Sequence, residues 1–112
     1  MSLVLCERSV GPVTLLELSE RLTIENVPEL RDKLQHLAEQ GRRSLLLDCS
    51  RIRDVDSTGI GALVRDWVWF KKQHGTLKLL NPSERLREVL QILGLQKVIE
   101  SFDDVGLALR AF

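Results

Sequence analysis

The sequence is short of the features that announce most functional classes. Its 112 residues carry 16 basic and 16 acidic side chains, so there is no excess of either sign to grip nucleic acid or an anionic lipid surface. Only two cysteines occur, Cys6 and Cys49, far apart and in no CxxC or metal-like cluster. Reduced thiols in the cytoplasm are therefore expected, with Cys49 in the core. No segment approaches the ~20 apolar residues of a membrane span, and the N-terminus lacks the apolar stretch of a signal peptide. The two histidines, His36 and His74, are too few and too badly spaced to serve a serine nucleophile, and no G-x-S-x-G elbow surrounds Ser57. Gly59 and Gly61 begin a G-x-G pattern whose third glycine position is Val64, which excludes a dinucleotide loop. A cofactor, a metal and catalysis are not expected.

What is present is organised around residues 44–70. Leu45, Leu46 and Leu47 form a continuous apolar run, as in an interior strand covered on both faces, and Asp48, Cys49 and Ser50 end it. The turn Asp54-Val55-Asp56-Ser57-Thr58-Gly59-Ile60-Gly61 follows. Asp56, Ser57 and Thr58 are helix-capping types, and the two glycines allow another backbone or a partner to come close. Ile60, Leu63, Val64, Trp67, Val68 and Lys71 then recur at helical spacing, which predicts a helix lying on the sheet by that face. On this phase Trp69 falls on the opposite, polar side with Arg65, Asp66, Lys72 and Gln73. An aromatic there, with no core to enter, suggests a partner contact, while Trp67 belongs to the buried stripe.

The remaining elements are legible from turns and caps. Val4 to Ser9 and Val13 to Ser19, parted by Gly11-Pro12, read as a β-hairpin. Asn26, Pro28 and Glu29 read as a capping box opening a helix with Val27, Leu30, Leu34, Leu37 and Ala38 inward and Gly41 at its end. Thr76 to Leu80 is a strand, and Asn81-Pro82-Ser83-Glu84 repeats the capping-box pattern before a helix through Leu86, Val89, Leu90 and Leu93 that Gly94 closes. Val98 and Ile99 suggest an edge strand, and Ser101 to Asp104 the start of a last helix through Val105, Ala108, Leu109 and Phe112. The expected fold is one α/β domain over residues 1–112: a mixed central sheet begun by a hairpin, with about four helices.

The hexapeptide Asp56-Ser57-Thr58-Gly59-Ile60-Gly61, placed between an apolar strand and a helix, resembles the STAS domain. More narrowly, it resembles the bacterial anti-sigma factor antagonists, whose hallmark is Asp-Ser-Ser/Thr-Gly-Leu/Ile-Gly. The resemblance runs from about Val13 to the C-terminus. It implies that Ser57 is the phosphorylated serine, with Thr58 second, and that the partner is an anti-sigma factor that is itself a serine kinase. It also implies a serine phosphatase acting on the phosphorylated form, and a contact surface containing residues 56–61. Thr23, in Glu20-Arg21-Leu22-Thr23, stands where that family carries an aspartate near the serine. Arg51 and Arg53 are candidate partners for the phosphate, and a second copy of the chain is a further candidate contact. The rival readings are a STAS subunit of a membrane transporter complex without a phosphorylation switch, and a small enzyme or nucleotide-binding protein, for which the motifs are lacking.

Overall fold

The computed structural model describes residues 2–112. The chain runs β1 (Val4–Val10), β2 (Val13–Leu18), β3 (Arg21–Leu22), α1 (Val27–Glu39), β4 (Ser44–Asp48), β5 (Asp54–Val55) and α2 (Ser57–Lys72). It continues through β6 (Thr76–Leu80), α3 (Glu84–Ile92), a 3-10 turn at Leu95–Lys97, β7 (Ser101–Phe102) and α4 (Val105–Arg110). The main sheet has the order β1-β2-β4-β6-β7. β1 and β2 form the antiparallel hairpin, and the other pairings in this sheet are parallel. The mixed sheet, the opening hairpin and the four helices are thus as the sequence predicts.

β4 lies between β2 and β6, which is why three consecutive leucines are fully buried there. Alternation sends Leu45 and Leu47, with Leu16, Leu77 and Leu79, toward α1, α2 and α3, while Leu46, Leu15, Val13 and Leu80 face Ala108 and Leu109 of α4. Lys78 shares that second face. It is buried with its ammonium 2.7 Å from Glu100 and close to the rings of Phe102 and Phe112.

The phase of α2 is the main departure from expectation. Its buried positions are Gly59, Ile60, Ala62, Leu63, Asp66 and Phe70, whereas Val68 is exposed and Trp67 is half-buried under Lys71. The reason is that α2 packs on two surfaces, the sheet and α1, so its covered arc is wider than a single stripe. Asp66 faces α1, where its Oδ1 accepts from Arg31 Nε at 2.7 Å. Its Oδ2 is buried without a hydrogen-bond partner among the described residues. Burial pushes the Asp66 carboxyl above the usual range, against the pull of Arg31 and Arg65. Trp69 also turns toward α1, half-buried against the core with the Arg31 guanidinium 5.0 Å from its ring centre. It is not the uncovered aromatic that the sequence suggested.

Two further expectations are corrected. Asn26 stands at the N-cap position of α1 without capping it. Its side chain accepts from Thr23 N–H at 3.1 Å and donates to the Arg21 carbonyl at 2.8 Å, tying down the preceding loop. Glu29 does not reach back to Asn26, because its carboxylate accepts from Leu3 N–H and Val4 N–H at 2.8 and 2.9 Å. The last strand is Ser101–Phe102 and not Val98-Ile99, and the last helix starts at Val105, capped by Asp104. Ile99 is buried as a core plug after the 3-10 turn, and pairing with β6 begins only past it.

Glu29 carries a pH-dependent prediction. Burial pushes its carboxyl up, but the donors from Leu3, Val4 and Ser2, together with Lys33, outweigh that and hold it below the ordinary glutamate range. A depressed folded-state value means stability that is present above the unfolded value and lost as pH falls through the folded one. Glu29→Gln should therefore cost about 1 kcal/mol at neutral pH, reduced by the group's contact with solvent. The gap between parent and variant should close as urea melts are taken down through the acidic range. A gap that widens on acidification would contradict the assignment.

Candidate functional site

The start of α2 is held by a network drawn from β3, β4, β5 and β6. β4 ends at Asp48, and Cys49 N–H donates to the Leu80 carbonyl of β6 at 2.9 Å, so the chain leaves the sheet at a set point. Cys49 is buried and its thiol is pushed far above the ordinary range by burial and by Asp48, an inert core group as expected. Arg53 and Asp54 N–H groups donate to the Glu20 carbonyl at 2.8 and 3.1 Å, and β5 then pairs in parallel with β3, Arg21 beside Asp54 and Leu22 beside Val55.

Asp56 is the N-cap of α2, with an extended backbone at φ −103° and ψ 174°. One carboxylate oxygen accepts from Gly59 N–H at 2.6 Å and the other from Ile24 N–H at 3.1 Å. A single side chain thus satisfies a free donor of the first helical turn and pins the loop between β3 and α1 against it. Gly59 makes the approach feasible. A Cβ there would overlap the Leu22 carbonyl oxygen and lie 3.0 Å from Thr23 N.

The capping role, open among three residues in the sequence, therefore belongs to Asp56. Ser57 is the first residue of the helix and is exposed, and its hydroxyl takes no part in the cap. It stands at the positive end of a 16-residue helix. Thr58 beside it is half-buried. Neither histidine is placed to act on Ser57: His74 follows the opposite end of α2, and His36 lies in the last turn of α1, where its ring nitrogen is 3.2 Å from Gln40 Nε2.

The other expected site residues divide by orientation. Gly59 and Ile60 are buried and build the turn from within, so the close approach at Gly59 is by the chain's own β3 end and not by a partner. Thr23 is brought to the site but is buried, its Oγ1 accepting from Glu25 N–H at 3.4 Å. Gly61 is half-exposed, one turn beyond Ser57. Trp69 lies twelve residues along α2 from Ser57, about 18 Å at the helical rise of 1.5 Å, and is not part of this cluster. Arg51 pairs with Glu17 at 2.9 Å, and Arg53 lines a groove among Glu20, Glu84 and Glu88.

Two residues at the site were missed. Ile24 is 64% exposed in the loop that Asp56 clamps. Its signal was present as an apolar residue inside the polar stretch Thr23-Ile24-Glu25-Asn26, outside the stripe of α1. Arg65, placed by the sequence only on the polar side of α2, leans back so that its guanidinium lies over Gly61.

An exposed serine thus stands at the first position of a helix that is capped by the preceding aspartate and reached from the interior strand β4 by way of β5. The STAS domain family matches residues 7–108, and the chain belongs to that family. It is 39% identical over 85 residues to the anti-sigma-B factor antagonist of Bacillus subtilis (strain 168), covering 76% of this chain and 77% of that protein. The fold is also that of the Bacillus cell fate determinant SpoIIAA in its phosphorylated form, with a TM-score of 0.72 at 23% identity, over 96% of this chain and 98% of that one. The unphosphorylated form of the anti-sigma factor antagonist SpoIIAA gives a TM-score of 0.76 at 23% identity, over 95% and 94% of the two chains.

Proposed function

We propose that this chain is an anti-sigma factor antagonist: a protein-binding module, not an enzyme, controlled by phosphorylation of Ser57. Unmodified, it captures an anti-sigma factor that is a serine kinase and so frees a sigma factor in the cytoplasm. The kinase transfers phosphate to Ser57 and the complex parts; a serine phosphatase restores the binding form. The observation that carries this reading is the exposure of Ser57 at the head of α2, relieved of capping by Asp56. The identity to a relative named as such an antagonist supports it.

The physics of the switch follows from the site. Phosphate adds ~1.5 to 2 negative charges at neutral pH to a turn that already holds Asp54 and Asp56. Burying that charge against a partner is costly, most of all beside an apolar contact such as Ile24. The helix N-terminus lowers the cost within the chain itself, so the fold survives while affinity falls. The contact surface is centred on Ser57, Thr58, Gly61 and the loop at Ile24. Trp69, half-buried beside Arg31 of α1 and about 18 Å along α2, lies outside it.

The test is a pair of variants. Ser57→Ala should unfold within about 0.5 kcal/mol of the parent, because Ser57 is not the cap, should bind the kinase, and should take no label from it and ATP. Ser57→Asp should fold and bind more weakly in calorimetry, with only part of the effect of a phosphate. Full labelling of the alanine variant would transfer the role to Thr58 or elsewhere, and undiminished binding of the aspartate variant would remove charge as the switch.

A further inference from the structure

We infer that Arg65 is the partner, within the same chain, of a phosphate on Ser57. This rests on Ser57 being the modified residue. Ser57, Gly61 and Arg65 are spaced i, i+4 and i+8 on α2, so they lie along one slowly turning line of its surface. Long side chains on a helix lean toward its N-terminus, and Arg65 does so: its Nη1 stands 3.7 Å from where a Cβ on Gly61 would be. The guanidinium is therefore already about halfway to Ser57, with ~6 Å of helical rise left. Gly61 presents no side chain between them. Among the described residues Arg65 takes part in no ion pair. Its neighbour Asp66 is buried and held by Arg31.

The other arginines near the turn are worse placed. Arg21 is engaged with Glu25 and Asp54 at 3.6 and 3.8 Å, Arg51 is paired with Glu17, and Arg53 lines a groove with three glutamates. The pull of Arg65 on buried Asp66 is secondary to that of Arg31, and among these arginines Arg65 is the one that lies along the line to the head of its own helix. Two parallel N–H donors suit phosphate oxygens, and such charge-assisted bonds are the strong kind. Phosphorylation then changes the docking face twice over: a dianion appears at Ser57, and the free cation over Gly61 is withdrawn.

The experiment uses full-length protein carrying phosphoserine at position 57 by chemical ligation, which keeps it independent of whether any kinase modifies that residue. The phosphate is titrated by phosphorus NMR in the parent, in Arg65→Gln and in Arg53→Gln. Asp54, Asp56 and Glu25 face the same turn, are present in all three proteins, and so cancel in the comparison. The parent phosphate should give up its second proton about half a pH unit lower than in Arg65→Gln, the difference shrinking in high salt. Arg53→Gln should titrate as the parent does. Coincident curves for the parent and Arg65→Gln would overturn the inference, as would a shift seen with Arg53→Gln instead. Failure of a kinase to label Ser57 would count against the proposed function and leave this result standing.

Discussion

Gly59→Ala should destabilise the protein by about 3 kcal/mol and loosen the loop that carries Thr23 and Ile24. The added methyl would overlap the Leu22 carbonyl, a backbone atom that cannot rotate away. Relief requires α2 to lift from β3, which stretches the Asp56 bonds to Gly59 and Ile24. Gly61→Ala is the control. Its new Cβ would meet only the Arg65 guanidinium at an ordinary 3.7 Å, and alanine is the better helix former by up to ~1 kcal/mol, so this variant should gain stability. Urea melts of both variants decide the matter. Equal losses at the two glycines would show that the close approach at Leu22 does not constrain the site.

The second large effect is at the other end of α2. Phe70 is fully buried, and its ring packs so closely on Gly75 that a Cβ there would lie 2.6 Å from it. Phe70→Ala should cost about 3 to 5 kcal/mol, the range for emptying a buried aromatic site. Trp67 and Trp69 are each half-buried under a cation, Lys71 and Arg31 respectively, and truncation to alanine should cost about 1 to 2 kcal/mol at either. The ranking is the test. A loss at Trp67 as large as at Phe70 would restore the helical phase that the apolar stripe implies. A silent Trp69→Ala would mean that α1 does not cover it.

These ranks show where a one-dimensional pattern fails. A stripe at 3.6 spacing finds the face of a helix that lies on one surface, and for α1 and α3 it names Leu30, Leu34, Leu37, Leu86 and Leu90 correctly. Leu93 at the end of the α3 stripe and Val105 at the start of the α4 stripe are nonetheless exposed, each standing at a helix end past the cover of the sheet. α2 lies on two. Its second contact is made partly by polar groups, the Asp66 and Arg31 pair and the cation over Trp69, which hydrophobicity cannot flag. Capping was misjudged for a related reason. Asn26, Glu29, Ser57 and Thr58 all have the chemistry to cap, but which of them does so depends on which free N–H groups the fold brings near. Asn26 serves its preceding loop, Glu29 serves β1, and Asp56 takes α2.

The sequence by itself determined the opening hairpin, the strands β4 and β6 and their alternation with helices, because strand and helix periods, turn residues and an unbroken leucine run are properties of neighbouring residues. The strand order, the pairing of β3 with β5 and the place of β7 it did not determine. It also determined the hexapeptide from Asp56 to Gly61 and hence the family. Only the tertiary structure decided what each member of that hexapeptide does. The Leu22 carbonyl makes Gly59 obligatory, and the Asp56 carboxylate releases Ser57 from capping and clamps Ile24. The guanidinium of Arg65 lies over Gly61 in the line of the serine. Asp56 and Ile24 are 32 positions apart in the chain and stand together beside the pairing of β3 with β5, so no local rule could have joined them.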